Sequence, residues 1–367
     1  MKIRHLIFLL IVVAAGVNSV TSQTNQAVTF DSERWAKKAT EARIETYKGQ
    51  ACLFLRGGRA TLQDVEFTDG IIEFDIAFSQ ERTFVGFFFR MTDDSNYEYF
   101  YFRPHQSGNP DATQYTPVFN GSSAWQLYFG EGFSEPVTYV FDEWMPVRLV
   151  VSGSRAEIYI RDMEKPAMHL HDLKREVKAG KVGVIAGGAQ FAPARYANFR
   201  VTPMTSVTLK SAPRAVEKIA PDTVPAWQIS SAFDAKRLDN VLQMTAKEKQ
   251  NLTWEVLHVE PTGLANIARL RTMSDSTKNT VFAKLDIESD QAQIKKLDLG
   301  FSDMVKVYCN DTILFSAEDV FQSRDYRFLG SIGYFDHVYL PLKKGHNEVW
   351  IAVSETFGGW GIKGRLE

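Results

Sequence analysis

FVGFFFRMTDDSNYEYFYF, residues 84–102, decides how this chain reads. VGFFFRM and NYEYFYF are two aromatic-rich strand signals. Strand side chains alternate between faces, so Tyr97, Tyr99 and Tyr101 share one face and Phe100 and Phe102 the other. The phenylalanines suit a core. Flat, half-polar tyrosine rings suit stacking against the C–H face of a ring while each hydroxyl finds a hydrogen bond. The same ladder equally serves to tie neighbouring strands together, and the residues leave both readings open. Beyond it, RPHQSGNPDATQYTPVFNGSSAWQLY (103–128) reads as a long polar loop that returns through Trp125, with short strand signals in TPVFN and AWQLYFG. Loops above a rigid sheet commonly carry binding groups, and few connections need this length.

Working outward, residues 28–203 present further short strand signals separated by turn residues, among them ACLFLRG, GIIEFDIAF, RAEIYIRD and KVGVIAGG. In GIIEFDIAF, Ile72, Phe74, Ile76 and Phe78 fall on one face and Glu73 and Asp75 on the other, the pattern of a half-buried strand. No ten-residue helical periodicity intervenes, which favours a two-sheet sandwich. Residues 204–226 (MTSVTLKSAPRAVEKIAPDTVPA) lack periodicity and read as a linker. A second strand series then runs from Trp227, including NTVFAKLDIE, IKKLDLGFS and DMVKVYCNDTILF, with Lys343–Asn347 expected to close a hairpin between VYLPL and EVWIAV. The fold expected is all-β, two jelly-roll β-sandwich domains in tandem: 1–22 a signal peptide, 23–203 the first sandwich, 204–226 the linker and 227–367 the second sandwich.

MKIRHLIFLLIVVAAGVNSVTSQ combines Lys2 and Arg4 with a short apolar run and small residues, the form of a secretory leader; this places the mature protein outside the cytoplasm, secreted or periplasmic. No later run is long and apolar enough to suggest a membrane span. Lys+Arg number 42 against 44 Asp+Glu, so no basic surface calls for nucleic acid, and neutral ligands become the default. Cys52 and Cys309 sit in apolar strand runs, one per expected domain, and read as buried free thiols; a bridge between them stays open. Sequons begin at Asn120, Asn251 and Asn310.

The order GIIEFDIAF, VGFFFRM, WMPVRLVVSGSRAEIYIRD, GKVGVIAGGAQFAPARYANFRV resembles the concanavalin A-like lectin/glucanase sandwich, including its laminin G-like and sugar-active relatives, over most of residues 28–203. FSDMVKVYCNDTILF followed by LPLKKGHNEV and FGGWG resembles the galactose-binding-like jelly roll over about 226–367, with Asn310, Leu342, Gly345 and Asn347 in matching places and Asp311 departing from the usual glycine. These likenesses imply carbohydrate as the partner, recognised or hydrolysed. Glu73 and Asp75 begin the Glu-x-Asp-x-x-Glu pattern of the glucanases, but Phe78 stands where the second catalytic acid would be, which argues against that hydrolysis.

The ligand-binding candidates are therefore Tyr97, Tyr99, Tyr101, Arg103, His105, Asp111, Gln114, Tyr115, Asn120, Trp125 and Gln126: rings for stacking, planar donors and acceptors to replace water around sugar hydroxyls. If the protein is an enzyme, a glycoside hydrolase or lyase, then Asp111 with His105 or Glu131 would move the protons. A laminin G-like protein-interaction module is a third class. His169 and His171 alternate on one strand face but have no further ligand cluster at metal spacing, so no metal and no cofactor is assigned; a structural calcium ion, often held by oxygen ligands in such sandwiches, stays open but cannot be assigned from spacing.

Overall fold

The computed structural model describes residues 27–367 apart from 216, 274–276 and 326, so the expected leader at 1–22 lies outside the described residues. The first half of the chain builds one antiparallel sheet of 13 strands. Its order runs from Met168–Leu170 through Arg155–Ile160, Met145–Ser152, Gly70–Phe78, Ala194–Pro203, Gln50–Phe67, Gly180–Ala186, Val85–Asp93, Asn96–Phe102 and Thr113–Phe119 to Ser122–Ser123. Trp35–Tyr47 lies beside Gln50–Phe67, and Ser134–Glu135 beside Thr113–Phe119.

This sheet curls over a single core. Phe74 and Phe87 stand on strands four places apart, a separation of roughly 19 Å in a flat sheet at about 4.8 Å per strand. Their ring centroids are 5.2 Å apart. Phe78 and Phe102, one strand further, still approach to 6.2 Å. The parity read from the sequence holds: Ile72, Phe74, Ile76 and Phe78 are buried, and Glu73 and Asp75 lie outside, paired with Arg148 and Asn198.

The second half forms a six-stranded sheet and a four-stranded sheet whose apolar faces share a core that includes Trp227, Leu299, Phe301, Ile351 and Trp360. One expectation is corrected here. Asp336–Leu342 pairs with Gln293–Ser302 in the smaller sheet, whereas Gly345–Ser354 belongs to the larger one, so residues 343–344 turn a corner between sheets instead of closing a hairpin. Asn347 explains why the same turn chemistry serves. Fully buried, its amide donates to the carbonyls of Lys343 and Gly345 (2.8 and 2.9 Å), and its oxygen accepts from Lys343 N (2.9 Å) and Asn310 Nδ2 (2.8 Å). Cys52 and Cys309 are buried and free, each among the strands of its own half.

The stretch 103–128 departs most from its reading as a loop. Thr113–Phe119 is a strand, every residue of it buried, paired in register with Asn96–Phe102. Trp125–Tyr128, expected as strand, is a tight turn whose Leu127 and Tyr128 amides both donate to the Ala124 carbonyl. That turn docks on the second half. Gln126 N donates to Gly358 O (2.9 Å), Ile332 N to Gln126 O (3.0 Å), and Gln126 Nε2 to Leu329 O (2.9 Å). A Cβ on Gly330 or Gly358 would come within 2.1 Å of the Gln126 amide, and both glycines have positive φ, +79° and +107°. Only glycine fits those places, because an L side chain is strained at such φ and occupies the slot the amide fills.

Gly358→Ala is therefore expected to cost about 1–3 kcal/mol of stability, as a strained backbone plus a displaced buried amide. Gly130→Ala, with φ +84° and nothing within 4 Å of the added Cβ, serves as the strain-only control and should cost less. Urea denaturation of both variants measures the difference; equal losses would remove the Gln126 slot as a determinant.

Candidate functional site

The outward face of Asn96–Phe102 supplies the floor of a pocket of about 500 Å³ at the junction of the two halves. Tyr99 and Tyr101 stack at 5.1 Å with 23° between planes. Arg103, at the strand's end, folds back over them. Its Cζ lies 4.7 Å from the Tyr101 ring centroid and 5.5 Å from that of Trp125, a cation against two π faces. Its Nη2 donates to the Tyr101 hydroxyl (2.5 Å), and its Nη1 to the carbonyl (2.7 Å) and carboxylate (3.1 Å) of Asp111. One buried guanidinium thus locks strand, loop and indole together.

Two aromatic walls rise from this floor. Phe84 meets Phe191 at 5.0 Å and His105 at 5.3 Å, both edge-on, with Arg82 above the two phenylalanines. Opposite, Trp125 meets Phe357 at 6.0 Å and Phe357 meets Phe321 at 6.4 Å, with Leu329 beside them. Phe357 and Phe321 are 50% and 40% exposed and adjoin one another, a small apolar patch at the pocket's edge. Burial, and then repulsion from Arg82 and Arg103, holds the His105 imidazolium below its ordinary range, so the ring is neutral at pH 7. Burial likewise raises the Tyr99 and Tyr101 hydroxyls, which stay protonated.

Strand alternation explains which candidates reach the pocket. Tyr99, Tyr101, Arg103, His105, Asp111 and Trp125 line it. Tyr115 does not: it pairs across from the core-facing Phe100, and its hydroxyl donates to the buried carboxylate of Glu98 (2.7 Å) while accepting from Lys174 N (2.7 Å). Gln114 sits opposite Tyr101 and is consumed internally, accepting from the Tyr101 hydroxyl (2.8 Å) and donating to the carbonyls of Trp125 and Tyr128 (2.7 and 2.6 Å). Gln126 is the buried amide of the junction, and Asn120 Nδ2 donates across it to Ala268 O (2.8 Å). Tyr97 extends the tyrosine row but packs on Phe88 at 5.6 Å, outside the pocket lining. Glu131, a catalytic candidate, pairs with Arg214 at a different cleft.

Sequence reasoning missed Arg82, Phe84, Phe191 and, from the second half, Phe321, Leu329 and Phe357. Phe357 in FGGWG carried the one available signal, a phenylalanine ahead of paired glycines. Among the described residues, Asp286, His346 and Glu348 bring metal-type ligands together. Against burial, which raises it, hydrogen bonds from Lys284 and Lys249 draw the Glu348 carboxyl down to about 2, so this group reads as a surface ion-pair network. His169 and His171 stack at 6.2 Å, apart from that group.

No protein-family model matches the chain, and no curated protein matches it either. Similar solved structures include a carbohydrate-binding module, CBM66, from Bacillus subtilis (TM-score 0.32, 16% identity, 45% of this chain and 93% of that one). A Bacillus licheniformis β-glucanase matches with TM-score 0.35 and 12% identity, over 50% of this chain and all (100%) of its own. SCLam, a non-specific endo-β-1,3(4)-glucanase of family GH16, matches with TM-score 0.34 and 11% identity over 48% and 87%. Likeness this loose leaves the chemistry to the residues themselves.

The wall that carries Phe357 rests on two buried acids. Asp303 Oδ2 accepts from the Thr356 and Phe357 amides (2.9 and 3.2 Å), and Glu355 Oε1 from Gly359 N (3.0 Å). Burial, reinforced by the Asp303 charge, pushes the Glu355 carboxyl up to about 8. A folded-state value raised above the ordinary 4.5 contributes stability that is full below pH 4.5 and is lost as pH rises through about 8. Stability should fall across that window by at most about 1.4 kcal/mol per pH unit. Glu355→Gln should flatten this slope and leave the variant the more stable form at pH 9; urea melts at pH 5, 7 and 9 measure it.

Proposed function

We propose that this protein binds a saccharide in the junction pocket and recognises it without cleaving it. The single observation that carries the reading is the pair of half-buried rings Tyr99 and Trp125 in one pocket, with Tyr101 and the Arg103–Asp111 couple fixed beside them. Sugar rings offer C–H faces to aromatic planes and hydroxyls to planar donors and acceptors, and this pocket presents both from rigid supports. Among the described residues lining it, Asp111 is the single carboxylate, and Arg103 holds it. Hydrolysis by the usual pair needs two carboxyls about 5–5.5 Å apart or roughly 6.5–9.5 Å apart, so the lining supports recognition. We place this activity outside the cytoplasm, on the leader-like sequence at residues 1–22.

A second reading has one observation in its favour: the neutral imidazole of His105 shares the pocket with Asp111, and a neutral imidazole can accept a proton. It predicts product release from a polysaccharide panel that His105→Ala abolishes.

Trp125→Ala and Tyr99→Ala should each weaken glycan binding about tenfold or more, roughly 1.4 kcal/mol, with circular dichroism unchanged. Glycan-array screening followed by calorimetry on the best oligosaccharide checks this. Unchanged affinity in both variants overturns the pocket as the binding site.

A further inference from the structure

The charges around the pocket do not cancel. Arg103 and Asp111 neutralise one another at 3.1 Å. Arg82 has no such partner: its guanidinium lies exposed at the pocket's edge, 5.8 Å from the ring centroids of both Phe84 and Phe191, and no carboxylate among the described residues pairs with it. With the imidazole of His105 neutral, one positive charge is left over beside Phe84 and Phe191 in a lining that is mostly aromatic.

A guanidinium resting on two rings is partly pre-oriented, its flat fork presented to whatever occupies the pocket. A neutral occupant would strip water from that cation and offer it no counter-charge, an unfavourable exchange. An occupant bearing a carboxylate or sulfate would meet it with paired, charge-assisted hydrogen bonds. Resting on the saccharide reading above, we infer that the sugar this pocket takes is an acidic one, a uronic-acid or sulfated residue whose ring stacks on the Tyr99 and Trp125 side while its anionic group pairs with Arg82.

Calorimetry on the full chain would compare three probe series: oligogalacturonates for the carboxylate, sulfated galactan oligosaccharides for the sulfate, and neutral galactan or xylan oligosaccharides. The inference expects one acidic series to bind about tenfold or more tightly than the neutral one, and which series does so identifies the anion. Arg82→Gln should remove that advantage, and so should raising salt from about 0.05 to about 0.5 M, since a rim ion pair is screened. Arg214→Gln, a cation at the other cleft, should change nothing. Equal affinity for neutral and acidic series, with Arg82→Gln silent, overturns the acidic class and leaves saccharide binding standing. Equal loss in Arg82→Gln and Arg214→Gln also overturns it, as diffuse attraction of a polyanion. If no series binds, the saccharide reading itself falls, and this inference with it.

Discussion

The pocket exists because a single amide, that of Gln126, is buried between two glycines of a distant part of the chain. A buried amide must find its partners or carry a desolvation penalty on the order of 1–3 kcal/mol. Gln126 finds them across the junction: its Nε2 donates to Leu329, its backbone amide to Gly358, and its carbonyl accepts from Ile332. These partners sit on the same loops that bear Leu329 and Phe357 into the pocket. The turn at Trp125–Tyr128 therefore does two things at once, presenting the indole to the pocket and pinning, by its next residue, the loops that complete the same wall.

A second contact keeps this register from rocking. Glu260 of the second half accepts from the Tyr128 hydroxyl and pairs with Lys174 (2.8 Å) and Arg269 (3.0 Å), while Arg269 also donates to the Lys174 carbonyl (2.9 Å). Such a half-buried charge cluster contributes modest net stability, because desolvation offsets much of the attraction. Its consequence is geometric instead. Its ion pairs and hydrogen bonds cross between the halves in one relative placement, which holds the walls of the pocket in register.

Much of this was legible from alternation alone. GIIEFDIAF and NYEYFYF declared their buried and outward faces, and Tyr99, Tyr101, Arg103, His105, Asp111 and Trp125 could be grouped by sequence proximity. Several of the binding candidates failed for one reason: polarity was read as exposure. Gln114, Tyr115 and Gln126 look like binding groups in a loop, yet each is a buried polar side chain whose partners lie on other segments, and partners of that kind leave no mark in local sequence. The far wall was invisible for a related cause. Phe321 and Phe357 lie about two hundred residues from Trp125, and nothing local to either tells that a glycine-lined slot will bring them together.

The junction also explains an apparent waste of stability. Two half-exposed phenylalanines and a carboxyl that stays protonated near neutrality are features a structure selected for stability alone would replace. Both belong to the same wall. Asp303 holds the Phe357 amide, Glu355 holds Gly359, and the ring between them packs against Trp125 at 6.0 Å while half of it stays exposed. Rigidity supplied from beneath by buried acids lets apolar surface face the pocket without collapsing into it. Half-exposed rings of this kind are unfavourable for the empty protein and gain from a flat, partly apolar occupant that covers them, which is the physical reason for proposing this surface as a binding site.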